Sequence, residues 1–202
     1  MRDFAKRCFD VVGSGLGLVV LSPVLALIAI AVRLSSPGPV LFRQPRVGLN
    51  GRHFNVLKFR TMVAGAEALG RETLGTHDPR ITKIGSLLRR TKTDEVPQLV
   101  NVIRGEMSLV GPRPEIPHYA DRYAGEDRIV LSIRPGITDP SSLELADLDS
   151  IMASRGDEPP ADFYRRVVQP RKLALQKAYV RDHSLGGDIV VIARTLLRIL
   201  YR

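Results

Sequence analysis

The stretch Val11-Val12-Gly13-Ser14-Gly15-Leu16-Gly17-Leu18-Val19-Val20-Leu21-Ser22-Pro23-Val24-Leu25-Ala26-Leu27-Ile28-Ala29-Ile30-Ala31-Val32 carries no charged residue. About 22 residues rising about 1.5 Å each are long enough for the hydrocarbon core of a bilayer. The stretch therefore predicts a membrane helix. It lacks the small-residue cleavage site of a secretory signal and runs into the breaker cluster Ser35-Ser36-Pro37-Gly38-Pro39. Two details separate it from a plain span. Arg2, Lys6 and Arg7 precede it and Arg33, Arg43 and Arg46 follow it, so the positive-inside rule places both ends on the cytoplasmic side. Ser22-Pro23 falls at the midpoint, where proline removes a backbone bond and the serine hydroxyl can bond a carbonyl of the preceding turn. A helix kinked at Ser22 and Pro23, entering and leaving by one face, satisfies both observations. A straight span with a tolerated proline satisfies the length alone.

The chain then divides into residues 1–36, a re-entrant membrane helix, and residues 37–202, a domain at the membrane surface. With 202 residues and 44% hydrophobic content, it suits one ordinary domain plus an appendage. Val40 to Arg43 and Phe54 to Met62 read as strands joined through Gly48-Leu49-Asn50-Gly51, where Asn-Gly is a hairpin signal. Residues 67–75 read as a short helix or loop, and Ile84 to Arg90 as a helix. The expected fold class is α+β, mostly α-helical, with a small β-hairpin. In the final stretch Arg194, Arg198 and Arg202 recur every four residues among Ile, Val and Leu. That spacing suits a helix lying on an anionic membrane surface, and equally a buried terminal helix with an arginine stripe in water.

A net charge of +9 calls for an anionic partner: nucleic acid, anionic lipid or a phosphorylated substrate. Aromatic content of 5% with no tryptophan, and no recognisable nucleic-acid motif, argue against the first. A membrane-tethered basic nucleic-acid-binding protein is the rival reading. The single cysteine, Cys8, excludes an internal disulfide and is read as packing or incidental. His53, His77, His118 and His183 lack metal-ligand spacing.

The chemistry concentrates in Leu87-Leu88-Arg89-Arg90-Thr91-Lys92-Thr93-Asp94-Glu95-Val96-Pro97-Gln98-Leu99, where two carboxylates follow a cluster of cations. Thr93 reads as an N-cap, Pro97 falls within the first turn, and Leu99, Val100, Val102 and Ile103 give an apolar face before Arg104-Gly105. Asp94 and Glu95 are thus expected at the positive end of a helix dipole, ionised, and able to hold a divalent cation or attack phosphorus. Acidic residues in a first turn also simply cap helices. Neighbours on a helix point about 100° apart, so the pair cannot flank a glycosidic bond. Downstream, the prolines and glycine of Ser108-Leu109-Val110-Gly111-Pro112-Arg113-Pro114-Glu115 fix the backbone and aim Arg113, whose guanidinium can grip a phosphate with two parallel bonds.

Together these segments resemble the bacterial sugar transferase family, the monotopic polyprenyl-phosphate phosphoglycosyl transferases. The resemblance rests on Lys6-Arg7-x-Phe9-Asp10, Leu21-Ser22-Pro23, Pro37-Gly38-Pro39-Val40-Leu41-Phe42-Arg43-Gln44, Arg46-Val47-Gly48 and Lys58-Phe59-Arg60-Thr61-Met62. It continues through Asp94-Glu95-Val96-Pro97-Gln98-Leu99-x-Asn101-Val102, Met107 to Pro114, and Arg134-Pro135-Gly136-Ile137-Thr138. Beyond Thr138 the likeness thins, returning at Tyr179-Val180 and from His183 to Thr195. It implies a small member consisting of the catalytic module, with a cytosolic active site on the bacterial inner membrane. It also implies transfer of a sugar 1-phosphate from a nucleotide sugar, UDP-linked by expectation, to polyprenyl phosphate, with Mg²⁺ and release of a nucleoside monophosphate. On that pattern Asp94 is the nucleophile and a metal ligand, and Glu95 its catalytic partner, either base or ligand of metal or water. Lys58, Arg60, Arg89, Arg113 and Arg134 form the phosphate- and substrate-binding set. A homodimer is compatible with such a module, and nucleic acid is not an expected partner. Two departures stand out: Lys92-Thr93 where many members have Ser-Leu, and Asp139-Pro140-Ser141-Ser142 where many have Gly-Leu-Ala-Gln. The second bears on substrate identity.

Overall fold

The computed structural model describes residues 2–66, 78–145 and 148–201; the segment read as a short helix or loop at 67–75, and His77, lie outside them. Helix α1 (Arg2–Ser35) is followed by a hairpin of β1 (Leu41–Val47) and β2 (His53–Phe59), then α2 (Lys83–Thr91), α3 (Gln98–Ile103) and β3 (Ser108–Val110). After α4 (Pro117–Ala120) comes β4 (Gly136–Thr138), with the short helices α5 (Pro140–Glu144), α6 (Leu148–Ala153) and α7 (Pro160–Phe163), and the longer α8 (Gln169–Asp182) and α9 (Leu185–Leu200). The mostly helical α+β expectation holds.

Helix α1 runs for 34 residues with Pro23 inside it. The Ser22 hydroxyl donates to the Val19 carbonyl (2.8 Å), the local bond that the Ser-Pro pair predicts. Both limbs of α1 fasten to the same domain. On the N-terminal limb, Arg7 donates to the carbonyls of Val102 (2.8 Å) and Ile103 (3.0 Å) at the end of α3, a favourable place for a cation. The Leu109 amide donates to Asp10 (3.0 Å), and Lys6 reaches the buried Asp188 (2.6 Å) and the Val110 carbonyl (3.1 Å). Gly13 and Gly17 leave room for Leu109 and Leu99, whose methyls would stand 3.0 and 3.2 Å from an added Cβ. On the C-terminal limb, Val32 is fully buried against Phe59 and Leu88. Between these anchors Leu16, Val19, Val20, Leu27 and Ile30 are exposed, and the helix is long and apolar enough to cross a membrane. Cys8 is exposed too, so it is not a packing residue.

The hairpin is antiparallel, from Leu41 opposite Phe59 to Val47 opposite His53. Its connection is a helical turn at Leu49–Gly51 with Asn50 and Gly51 at positive φ (55° and 76°), which is why Asn-Gly stands there. Strand β1 extends four residues beyond the expected Arg43; Pro45 is tolerated because a two-stranded sheet is all edge. Strand β2 stops at Phe59 rather than Met62: beyond Arg60, whose amide still donates to the Val40 carbonyl (2.9 Å), the backbone turns to residues 80–82, with Met62 bridged to Ile81. Asn101, fully buried, locks α3 to β2 by accepting from the Leu57 amide (3.0 Å) and donating to the Asn55 carbonyl (2.8 Å). Val56, Val102 and Met107 form the core beneath.

The α3 region departs from expectation. Helix α2 ends with Lys92 in the left-handed region (φ 58°), Thr93–Glu95 form a 3₁₀ turn, and α3 begins only at Gln98. Thr93 caps nothing; its hydroxyl pairs with that of Thr91 (2.8 Å). Strands β3 and β4 run parallel, Ser108 opposite Gly136 and Val110 opposite Thr138. A Cβ on Gly136 would stand 2.0 Å from the Gly111 nitrogen, so only glycine permits this approach. In the departing Asp139 segment, Asp139 caps α5 by accepting from the Ser141 amide (2.9 Å) and accepts from Gln176 of α8 (2.9 Å).

Candidate active site

Asp94 and Glu95 sit on the 3₁₀ turn between α2 and α3, facing the end of β2 and the turn after β3. Glu95 is gripped from two sides. Lys58 of β2 donates to its Oε1 (3.0 Å), and Arg113 donates from Nη2 to Oε1 (2.5 Å) and from Nη1 to Oε2 (3.2 Å). Burial alone would raise the Glu95 carboxyl, but the charges and hydrogen bonds of Arg113 and Lys58 outweigh it and hold it well below the usual carboxylate range. Burial pushes the Lys58 ammonium down, against the pull of Glu95.

Asp94 has the opposite surroundings. It is 8% exposed, and its Oδ1 is buried without a hydrogen-bond partner. Burial and then the Glu95 charge raise its carboxyl above the usual value, and Lys58, Lys92 and Arg89 only partly offset them. The expectation that both carboxylates sit at the positive end of a helix dipole is therefore corrected: they lie on a 3₁₀ turn ahead of α3, and the cations divide unequally between them. Arg89, in the last turn of α2, donates Nε to the Thr61 hydroxyl (2.8 Å) and lies in the field of Asp94.

Of the expected set, Asp94, Glu95, Lys58, Arg89 and Arg113 converge. Arg113 does so with its fork closed on Glu95 instead of open. Arg60 does not join them. It is 7% exposed and caps the end of α1, donating to the carbonyls of Val32 (3.2 Å), Ser36 (2.6 Å) and Pro37 (3.0 Å); carbonyl oxygens at a helix C-terminus satisfy a guanidinium as a phosphate would. Arg134 gives its Nε to the Gly105 carbonyl (2.9 Å), tying the loop before β4 to the turn after α3. The structure adds Arg46, which donates to the Pro114 carbonyl (3.2 Å) and stands 3.7 Å from Glu115. Arg46 lies within a resembling block, but nothing in its local sequence distinguishes it from the other arginines.

A divalent cation fits this site in one way. Both oxygens of Glu95 are engaged by cations, whereas Asp94 Oδ1 is buried and unpartnered. Among the described residues no group of three His, Cys, Asp or Glu could form an all-protein cage. Mg²⁺ characteristically binds through one or two carboxylates with substrate phosphates and water completing its shell, and Asp94 suits that arrangement.

A family model described as bacterial sugar transferase matches residues 1–202. The chain is 43% identical over 209 aligned positions to an undecaprenyl-phosphate glucose phosphotransferase of Komagataeibacter xylinus, covering 97% of this chain and 36% of that protein. It is 36% identical over 209 positions to a UDP-glucose:undecaprenyl-phosphate glucose-1-phosphate transferase of Caulobacter vibrioides, covering 98% of this chain and 70% of the relative. A UDP-N-acetylgalactosamine-undecaprenyl-phosphate N-acetylgalactosaminephosphotransferase of Aeromonas hydrophila is 32% identical over 203 positions, 98% of this chain and 44% of that protein.

Proposed function

The chain belongs to the bacterial sugar transferase family, and from that premise we propose that it transfers a sugar 1-phosphate from a UDP-linked sugar to undecaprenyl phosphate. The products are undecaprenyl-diphosphate-sugar and a nucleoside monophosphate, and the reaction is a first membrane step of glycan assembly. The observation that carries the reading is the divided pair: Glu95 is neutralised by Lys58 and Arg113, while Asp94 keeps a buried oxygen that has no hydrogen-bond partner among the described residues. Two adjacent carboxylates with one spent on cations and one left free suit covalent phosphoryl transfer.

In the first step an Asp94 oxygen attacks the phosphorus that bears the sugar. The bond from that phosphorus to the bridging oxygen breaks, and the nucleoside monophosphate leaves with the electron pair. In the second step a phosphate oxygen of the lipid attacks the same phosphorus, the bond to Asp94 breaks, and the carboxylate is restored. Lys58 and Arg113, already held at the site by Glu95, supply donors to the charged oxygens, and Arg89 adds a further cation beside Asp94. Asp94 would hold Mg²⁺, whose chemistry is to neutralise charge on the diphosphate. Glu95, with its carboxyl far below the usual range, is a poor general base. None of strength is required, because a phosphate monoester is already anionic near neutral pH, so Glu95 organises the cations.

The lipid acceptor requires a site at the membrane surface. Docking of both α1 limbs on one domain and the Ser22–Val19 bond support a re-entrant helix on the cytosolic face of the inner membrane. Incubating the purified protein with undecaprenyl phosphate and a panel of nucleotide sugars should release a nucleoside monophosphate. Without lipid, a phosphosugar adduct mapping to Asp94 should appear by intact mass, and Asp94→Asn should abolish both signals. Turnover by Asp94→Asn would overturn the nucleophile assignment, and a response to nucleic acid instead of nucleotide sugar would overturn the reaction.

A further inference from the structure

Behind the Asp94–Glu95 centre lies a second carboxylate hub. The Glu115 side chain is 10% exposed. Its Oε2 accepts from Lys172 Nζ (2.6 Å) and from the Tyr164 hydroxyl (2.9 Å), and its Oε1 faces Arg46 at 3.7 Å. Burial pushes this carboxyl up, but Lys172, Tyr164 and Arg46 more than offset it.

The hub surrounds the residue that grips Glu95. Pro112 O accepts from the Gly136 amide (3.0 Å), Pro114 O from Arg46 (3.2 Å) and Glu115 O from the Val47 amide (3.0 Å). The backbone on either side of Arg113 is therefore held, and Lys172 and Tyr164 hold the carboxylate that ends the turn.

Both of these residues lie in the helical segment that leads into α8. Tyr164 opens a π-helical turn, Tyr164–Val168, and Lys172 follows in the first turn of α8. Eight positions apart on an ideal α-helix, their side chains would diverge by about 80°. One residue absorbed by a π turn reduces the offset to about 20°, so both address a single carboxylate; such turns are frequent at functional sites. A buried ion pair is a weak device for stability.

We propose that Tyr164 and Lys172 are positioning residues for the transfer reaction, acting through Glu115 to fix the Pro112–Pro114 turn and so aim the Arg113 guanidinium at the Asp94–Glu95 centre. The proposal rests on the reading of that centre as a phosphosugar-transfer site. It is tested in the full chain with Tyr164→Phe, Lys172→Met and Glu115→Gln, each alone and combined with Arg113→Lys. Tyr164→Phe removes only a hydroxyl and keeps the ring beside Tyr119 (centroids 5.2 Å apart). Two readouts are taken: nucleoside monophosphate release at varied nucleotide sugar, and amide exchange over residues 111–116.

Lys172→Met is expected to lower kcat/KM by about tenfold and Tyr164→Phe by less, with the loss falling to about twofold or under in the Arg113→Lys background, as for groups acting through one partner. Exchange at 111–116 is expected to rise in Lys172→Met and Glu115→Gln while the hairpin stays protected. Wild-type kinetics in both single variants, or losses that multiply in full on top of Arg113→Lys, would overturn the proposal. If the wild type releases no nucleoside monophosphate, the reaction reading falls, and the exchange arm still decides the clamp: unchanged protection at 111–116 overturns it.

Discussion

Asp94 and Glu95 are neighbours in sequence with opposite electrostatic surroundings, and the difference sets their pH behaviour. Burial and Glu95 raise the Asp94 carboxyl, so the native state binds its proton more tightly than the unfolded chain does. Stability contributed by that proton is present below the ordinary aspartate pKa and is lost as pH rises through the raised one. Asp94→Asn should accordingly be inactive yet melt higher than wild type at neutral pH, with the difference disappearing in acid; equal melting points at both pH values would remove the burial argument. Attack requires the ionised form, so the acid limb of adduct formation should sit above the ordinary aspartate pKa. Glu95→Gln removes a like charge and leaves Lys58 and Arg113 unopposed beside Asp94. The limb of its residual activity should move to lower pH, and a limb that stays or rises in rapid-quench measurements would mean that another group titrates. Arg113→Lys keeps the charge but loses the two-pronged contact with Glu95, and should cost about tenfold or more in kcat/KM.

At the scale of elements, α2 carries Arg89 to the site because it lies directly on the end of β2. A Cβ on Gly85 would stand 1.9 Å from the Thr61 carbonyl oxygen. Gly85→Ala should therefore push α2 outward, break the Arg89–Thr61 bond, and lower stability by about 3 kcal/mol. Gly15→Ala, where an added Cβ meets nothing within 4 Å, should instead be neutral or favour α1 by about 0.5–1 kcal/mol; equal melting shifts for the two would deny the close approach. The elements legible in sequence were those with a local cause: the uncharged run of α1, the Asn-Gly of the hairpin, and the stretch that became α2. The 3₁₀ turn was not legible, because Thr-Asp-Glu followed by a proline reads as an N-terminus whenever the threonine hydroxyl is free, and here Thr91 occupies it. Nor could sequence separate Arg113 from Arg60. A guanidinium accepts a carboxylate, a helix end or a phosphate alike, and only the tertiary placement of Arg60 beneath α1 decides its partner. Glu115 meets Tyr164 and Lys172 across 49 and 57 positions of chain, beyond any local pattern.

For the whole molecule the decisive question is how one domain holds both limbs of a helix that would be about 51 Å long if straight, at about 1.5 Å per residue. Lys6, Arg7 and Asp10 fasten the first limb, and Val32 with the Arg60 cap fastens the second. A span with its ends in opposite compartments would have to give up one set. Giving up the first would cost the buried Asp188 its lysine and carry Arg2, Lys6 and Arg7 across the bilayer, against the positive-inside bias. A cysteine at Ala5, in a Cys8→Ser background, should therefore react with a membrane-impermeant thiol reagent only from the cytosolic side. Ser22→Ala with Pro23→Leu restores the missing backbone bond and removes the competing hydroxyl, so a straight spanning helix becomes the easiest solution for the apolar run. With the anchors intact, most N-termini should still stay inside. Adding Lys6→Met and Arg7→Met removes two of the three anchors, leaving Asp10, and most of the charge barrier, and a fraction should then be labelled from outside. Outside labelling of the otherwise unmutated chain would overturn the re-entrant reading. Inside labelling of the fourfold variant would show that contacts other than Lys6, Arg7 and the Ser-Pro pair hold the first limb.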